Sequence, residues 1–328
     1  MKGGHRYYVG VDIGGTDIKA AIVDETGQIV VRTEIPTSLE GASAVCEQML
    51  WLMETLAERC SIRREQIEGI GIGVPGYVDP VQGVVHESPN LGWKSVPLLD
   101  MLRRLTGRPV WIENDANAAV LGEYWLGAGA GVSDLVMITL GTGVGCGIIA
   151  DGKVIRGADG FAGEFGHTKV ETKTGNLCVC GKRGCLETTS SGLAMVRKAR
   201  EAIQRGEQTL LTEMSGKGET VKDIFDAAKR GDPIASSIVR EAAFYLGVAM
   251  ANLANLLNPR KMIIGGGISA AGTFYLSLIE QSFQQFALDV VRRNTAIVPA
   301  QLGNDAGVLG SAMAAKRSTA LNNEIQEV

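Results

Sequence analysis

Aromatic residues are scarce: phenylalanine, tyrosine and tryptophan together make up 5% of the 328-residue sequence. Histidine is scarcer still, with three in the whole chain. Positive charge is not in excess either, since 32 Lys and Arg against 36 Asp and Glu leave a net charge of −4. A chain devoted to binding a phosphate backbone is usually basic, so nucleic acid is not expected as a partner. No apolar run approaches the ~20 residues of a membrane span, so no membrane association is expected. The N-terminus, Met1-Lys2-Gly3-Gly4-His5-Arg6, leads straight into a strand-like run without room for a signal peptide, and the expected compartment is the cytoplasm.

What remains is globular in composition, with 45% hydrophobic and 21% charged residues. Glycine is abundant: 43 residues, well above the usual share of about 7%. Many backbone positions therefore need tight turns or close approach to a neighbour. The six cysteines are Cys46, Cys60, Cys146, Cys178, Cys180 and Cys185, and the last three crowd into one loop. In a cytosolic chain such a cluster reads as a metal site before a disulfide framework.

The chain echoes itself. A strand at 7–13 runs into Gly14-Gly15-Thr16, followed by a strand at 20–24, a turn at Glu25-Thr26-Gly27 and a strand at 28–32. Later a strand at 135–140 runs into Gly141-Thr142-Gly143, followed by a strand at 147–150, a turn at Asp151-Gly152 and a strand at 153–155. Each copy is followed by alternating helices and strands. The spacing predicts helices at 41–60, 116–126 (capped by Asp115), 233–258, 273–291 and 306–317, and strands at 70–74, 109–112, 261–264 and 296–299. The expectation is an α/β fold of two related lobes with a ligand cleft between them. The lobes are expected to comprise residues 1–114 plus about 308–328, and residues 115–307.

A glycine turn at the end of a buried strand can cradle phosphate on its backbone N–H groups, although alone it is equally a plain turn. Asp12, on the strand before the first turn, suits a magnesium ion held through water. Thr16 and Thr142 put a hydroxyl at the same place in both copies, which suits a phosphate gripped from two sides by Gly14, Gly15, Gly141 and Gly143. A third cluster, Gly265, Gly266 and Gly267, lies between a strand and a helix, where an adenine could slide against bare backbone. Other nucleotide motifs fail. A dinucleotide fingerprint needs a helix after its glycines, and the nearest approach to a P-loop, Ser215-Gly216-Lys217-Gly218, lacks the closing hydroxyl. His167, Cys178, Cys180 and Cys185 make a complete tetrahedral set for zinc, closed and hence structural.

Together, Asp12-Ile13-Gly14-Gly15-Thr16, Glu113-Asn114-Asp115-Ala116-Asn117-Ala118-Ala119, Gly141-Thr142-Gly143, Glu164-x-Gly-His167 and Cys178-x-Cys180-Gly-x-x-Gly-Cys185-x-Glu187 resemble the ROK family (repressors, open reading frames, kinases). The segments Pro89-Asn90-Leu91-Gly92-Trp93 and Leu302-Gly303-Asn304-Asp305-Ala306-Gly307 are similar to its ATP-dependent glucokinase branch. The resemblance implies a two-lobed actin-like ATPase (ribonuclease H-like) fold with a duplicated hairpin core. It implies ATP and Mg2+ use, a structural Zn2+, and phosphorylation of glucose at its 6-hydroxyl at the head of glycolysis. It makes Asp115 the catalytic base and Asn114, Asp115, Glu164, His167, Glu187 and Gly76 the sugar contacts. A homo-oligomer, dimer or tetramer, is also implied. Other hexose kinases of the family, acting on N-acetylmannosamine, fructose or allose, share these motifs. The family's repressors carry a DNA-binding segment ahead of the kinase-like part, whereas the first strand here begins at Tyr7.

Overall fold

The structure is a computed structural model that describes residues 6–214, 219–267 and 272–326; the Ser215-Gly216-Lys217-Gly218 segment lies outside the described residues. The chain begins with the strands β1 (Tyr7–Ile13), β2 (Asp17–Asp24) and β3 (Ile29–Pro36). They pair antiparallel, and pairing runs right up to the glycine turn, with Ile13 opposite Ile18. That is why β2 starts at Asp17 rather than at the expected Ala20. The helix α1 (Ala42–Arg59) buries Val45, Met49, Leu52, Met53 and Leu56, the stripe its spacing predicts. Next come β4 (Ile67–Val74), a meander of β5 (Tyr77–Asp79), β6 (Val84–Ser88) and β7 (Trp93–Val96), the helix α2 (Leu98–Thr106) and β8 (Val110–Asn114). The first sheet has the order β3-β2-β1-β4-β8, with β1, β4 and β8 parallel, and the meander forms a small sheet of its own.

The helix α3 (Asp115–Leu126) leads into β9 (Leu135–Leu140), β10 (Val144–Ala150) and β11 (Lys153–Val154). A long loop and a helical layer follow: α4 (Glu187–Ser190), α5 (Gly192–Gln204), α6 (Val221–Lys229) and α7 (Pro233–Leu257). The chain closes with β12 (Lys261–Gly265), α8 (Thr273–Phe286), α9 (Asp289–Arg292), β13 (Ala296–Pro299) and α10 (Ala306–Gln326). The second sheet has the order β11-β10-β9-β12-β13, the connectivity of the first repeated, so the echo in the sequence is an echo in the fold.

Three helices differ from expectation, and one of them, α10, simply runs on from the expected end at 317 to Gln326. The helix expected over 273–291 breaks at Ala287, because the Leu288 N–H donates to the Asn255 side chain at 3.0 Å instead of to the preceding turn. Helix α7, 25 residues long with mean hydropathy 1.3 in its most apolar window, is long and apolar enough to cross a membrane by length and composition, contrary to the expectation that no run was. One face, with Ile238, Val239, Leu246 and Met250, is buried beside α6 and α8 in the core of the second half, whereas Phe244, Leu256 and Leu257 are exposed.

The last helix returns to the first half, lying across β1 and β4 and crossing α3. The crossing is made backbone to backbone: a Cβ on Gly310 would lie 1.6 Å from the Ala118 carbonyl oxygen, and one on Gly122 would lie 2.2 Å from that of Ala306. Only glycine allows this approach, which accounts for part of the glycine-rich composition.

Candidate functional site

Strand β8 ends and α3 begins at Asn114, and this junction sets the site. The Asn114 side-chain oxygen accepts from the N–H groups of Ala116 (2.9 Å) and Asn117 (3.1 Å). Asn114 is therefore the helix cap, and the expectation that Asp115 caps α3 is corrected: Asp115 is the first residue of the helix. The Asn114 amide also donates to the Gly76 carbonyl at 3.1 Å, which leaves one N–H for a ligand. Gly76 sits at φ 108, with the Glu87 carbonyl 2.2 Å from where a Cβ would be. Asp115 is half-buried, and burial, reinforced by the negative charge of Asp12 and then of Glu164, pushes its pKa up to about 7. The Ala116 N–H, which donates to its carboxylate at 2.9 Å, opposes that rise and does not cancel it. A helix start alone would favour the ionised form; here burial wins, and Asp115 sits where it can both take and release a proton near neutrality.

Asp12, next to last in β1, holds its carboxylate against the first turn of α10, where a Cβ on Gly307 would lie 2.7 Å from it. Burial raises its pKa too. The turn Gly14-Gly15-Thr16 is closed by the Gly14 N–H donating to the Asp17 carbonyl at 2.8 Å, and Thr37 donates to the Gly14 and Thr16 carbonyls from outside. Gly15 and Thr16 are exposed, with Gly15 facing Asn90.

The second turn borders a cavity of about 600 Å³ lined by Gly141, Thr142 and Gly267 at one end, Leu193, Val196 and Phe225 along its apolar wall, and Thr220, Lys222, Asp226 and Lys229 on α6 and at its start. The size and the mix of an apolar wall with a few polar groups suit a nucleotide-sized ligand. Of the third glycine cluster only Gly267 reaches the cavity. Gly265 is buried in β12 against Met137, and Gly266, at φ 83, turns the chain against the Leu140 backbone. Gly143 serves a different purpose from Gly141: a Cβ there would meet a Glu187 carboxylate oxygen at 2.4 Å, and that oxygen accepts the Val144 N–H at 3.1 Å.

Glu187 ties this turn to the cysteine loop. Its other oxygen lies 3.9 Å from the Cys178 sulfur. The ligand atoms of His167, Cys178, Cys180 and Cys185 all lie within 4.8 Å of one another, with Cys178 Sγ 3.5 Å from His167 Nδ1 and Cys180 Sγ 3.6 Å from Cys185 Sγ. Four ligands about 2.0–2.3 Å from a tetrahedral zinc would stand roughly 3.3–3.8 Å apart, so the donor set and the two pairs at 3.5 and 3.6 Å fit that ion. The loop is held by Cys178 N–H to Lys182 (2.8 Å) and Gly181 N–H to Cys178 (2.9 Å). At Gly184, φ 75, a side chain would collide with the Glu171 carbonyl 1.9 Å away. The imidazole faces two ways: Nδ1 toward the sulfurs, Nε2 toward Glu164, whose carboxylate is 3.8 Å away. Burial raises the Glu164 pKa, His167 lowers it and Glu187 raises it further.

Two residues near the site carried no signal in the sequence. Lys169 donates to Cys185 Sγ at 2.7 Å and to the His167 carbonyl at 2.9 Å, setting a cation beside three thiols. Glu123, fully buried on α3, accepts N–H groups from Ala128 (2.7 Å), Gln301 (2.9 Å) and Leu302 (2.8 Å), and so ties α3 to the segment that leads into α10.

The chain is similar to known proteins over nearly its whole length. The family model described as the ROK family matches residues 8–318. A glucokinase of Halalkalibacterium halodurans is 44% identical over 317 residues, which are 95% of this chain and 96% of that protein. A ROK family glucokinase from Streptomyces griseus, solved with glucose and AMPPNP, is 39% identical and superposes with a TM-score of 0.83 over 95% of this chain and 99% of that one. A xylose repressor of Caldicellulosiruptor bescii is 33% identical over 304 residues, 92% of this chain and 76% of that protein. The two halves are thus the two lobes of an actin-like ATPase fold, and the chain belongs to the ROK family.

Proposed function

We propose that the protein transfers the γ-phosphoryl group of MgATP to the 6-hydroxyl of glucose. The observation that carries this reading is Asp115, a carboxylate tuned to about 7 that feels the charge of Asp12 on one side and of Glu164 on the other. It stands between a phosphate-binding side and a sugar-binding side. The glucokinase likeness at 44% identity supports the glucose assignment, and the repressor likeness at 33% is weaker.

Asp115 accepts the proton of the sugar hydroxyl as that oxygen attacks the γ-phosphorus, and ADP leaves. ATP lies in the cavity beside Gly141, Thr142 and Gly267, its phosphates held on the backbone N–H groups of the two glycine turns. Asp12 would hold the magnesium that accompanies ATP, through water. Glu164, His167 through Nε2, Glu187, the free amide N–H of Asn114 and the Gly76 backbone line the sugar side. Hydrogen bonds of this kind to ring hydroxyls reject sugars that lack them. The cysteine loop would hold zinc through His167, Cys178, Cys180 and Cys185; bound there, the ion fixes the imidazole and the loop on which the sugar contacts stand. Closure of the lobes, divided near 114/115 and 308, excludes water from the reaction. A cytoplasmic enzyme that self-associates and feeds glycolysis completes the proposal.

The test is phosphoryl transfer from ATP across a panel of glucose, N-acetylmannosamine, fructose and allose, with the product identified by phosphorus NMR. The expected result is the highest kcat/KM for glucose with a 6-phosphate product. Preference for another sugar of the panel would keep the kinase and reject the glucose assignment.

A further inference from the structure

Glu113, the residue before the Asn114 cap, is 3% exposed, and its counter-ion comes from the other lobe. Arg156, just past β11, donates from Nε (2.9 Å) and Nη2 (2.6 Å) to Glu113 Oε2. The other oxygen, Oε1, accepts the Asn114 backbone N–H and the Asn117 amide, each at 3.2 Å. The guanidinium thus acts on the first turn of α3, and so on Asp115, through one buried carboxylate.

The chain that follows Arg156 stays on the first lobe before returning. The Ala162 N–H donates to the Arg156 carbonyl at 2.9 Å, closing a short loop with Gly157 and Gly160 at positive φ. A Cβ on Gly160 would lie 2.5 Å from the Val78 carbonyl, so the loop rests on β5. The Phe161 ring sits 5.5 Å from the rings of both Tyr77 and His86. The loop then drops back onto β10, where a Cβ on Gly163 would meet the Cys146 carbonyl at 2.5 Å, and it delivers Glu164 and His167. Tyr77 follows Gly76, whose carbonyl is held by Asn114.

We propose that Arg156 is a positioning residue. Through Glu113 it sets the Asn114–Asp115 backbone, and through the loop it begins it sets Glu164 and His167, so the base and the sugar contacts are aligned across the cleft by one segment, 156–164. This rests on the reading of Asp115 as the base. Misplacing a reacting group by about 1 Å can cost on the order of a hundredfold in rate. A lysine at 156 would keep the charge and lose the two-pronged contact.

The experiment compares Arg156→Ala, Arg156→Lys, Glu113→Gln and the Arg156→Ala/Glu113→Gln double variant, each with its melting temperature, glucose affinity by calorimetry, and kcat and KM for glucose and ATP. The expected result is a loss of kcat of roughly tenfold to a hundredfold in Arg156→Ala with KM for ATP unchanged. Arg156→Lys should be intermediate, and millimolar guanidinium should restore Arg156→Ala where ammonium does not. The double variant should be no worse than the worse single one, because both break the same link. Turnover near wild type in Arg156→Ala, or a loss that guanidinium does not restore and that adds to the Glu113→Gln loss, would overturn the proposal. If Arg156→Ala does not fold, the Arg156→Lys and Glu113→Gln kinetics decide, and both equal to wild type would overturn it. An Asp115→Asn protein measured alongside separates the two readings: full turnover there rejects Asp115 as the base, whereas the coupling between Arg156 and Glu113 is read whichever residue that is.

Discussion

At the scale of single residues, the proposed mechanism depends on one carboxylate kept short of full ionisation. Burial and the neighbouring charges of Asp12 and Glu164 lift the Asp115 pKa from 3.8 to about 7. A base must be deprotonated, so kcat/KM for glucose should fall by about tenfold per pH unit below neutrality and level off above it. A profile flat to about pH 5.5 would contradict the tuned base. Stability carries the opposite sign. Because the folded-state value lies above the unfolded one, the native state binds the proton more tightly, and stability falls as pH rises from about 4 to about 7. Asparagine at 115 lacks this cost, so Asp115→Asn should melt higher than wild type at pH 8, with the gap closing as the pH falls toward 4. Equal melting temperatures at both extremes would show that Asp115 pays no desolvation cost.

At the scale of elements, two pieces of architecture frame the proposed site: the α3–α10 crossing beside Asp115 and the cysteine loop beside Glu187 and Glu164. A methyl group at Gly310 would overlap the Ala118 carbonyl 1.6 Å away. Gly310→Ala should therefore force the helices apart and cost about 1–3 kcal/mol or more in chemical denaturation; an unchanged midpoint would mean that the crossing yields easily. Cys178, Cys180 and Cys185 belong to none of the hydrophobic core clusters, so the chain should stay folded without metal. A strong chelator, or Cys180→Ser, should raise KM for glucose while ATP binding and the helical circular dichroism persist, and elemental analysis of the untreated protein should find close to one zinc per chain. Global unfolding on chelation would make the metal a folding requirement instead. These elements differ in how plainly they were written in the sequence. The hairpin strands, the Cys/His spacing and the α1 stripe were readable because period, turn residues and ligand types are local. The Asn114 cap was misread as Asp115 because both residues are good caps and only the backbone angles choose between them. Glu113–Arg156 and the Glu123 clamp were invisible because each joins segments far apart in the chain through a single charge, which leaves no pattern.

At the scale of the whole molecule, a duplicated sheet yields two lobes whose facing surfaces divide the labour. In the proposed reading, one brings Asp12 and Asn114, and the other brings Asp115 at the junction, the nucleotide cavity, Glu164, His167 and Glu187. Contacts between the two halves run through α3, α10 and the 156–164 segment. The measurement that tests this account most directly is turnover and glucose binding on one sample of Asp115→Asn, which keeps the shape of the side chain and removes the proton acceptor. The account predicts that kcat falls by about a hundredfold to ten-thousandfold while calorimetry still finds glucose bound with near wild-type affinity. Near wild-type turnover, or loss of glucose binding together with activity, would contradict it.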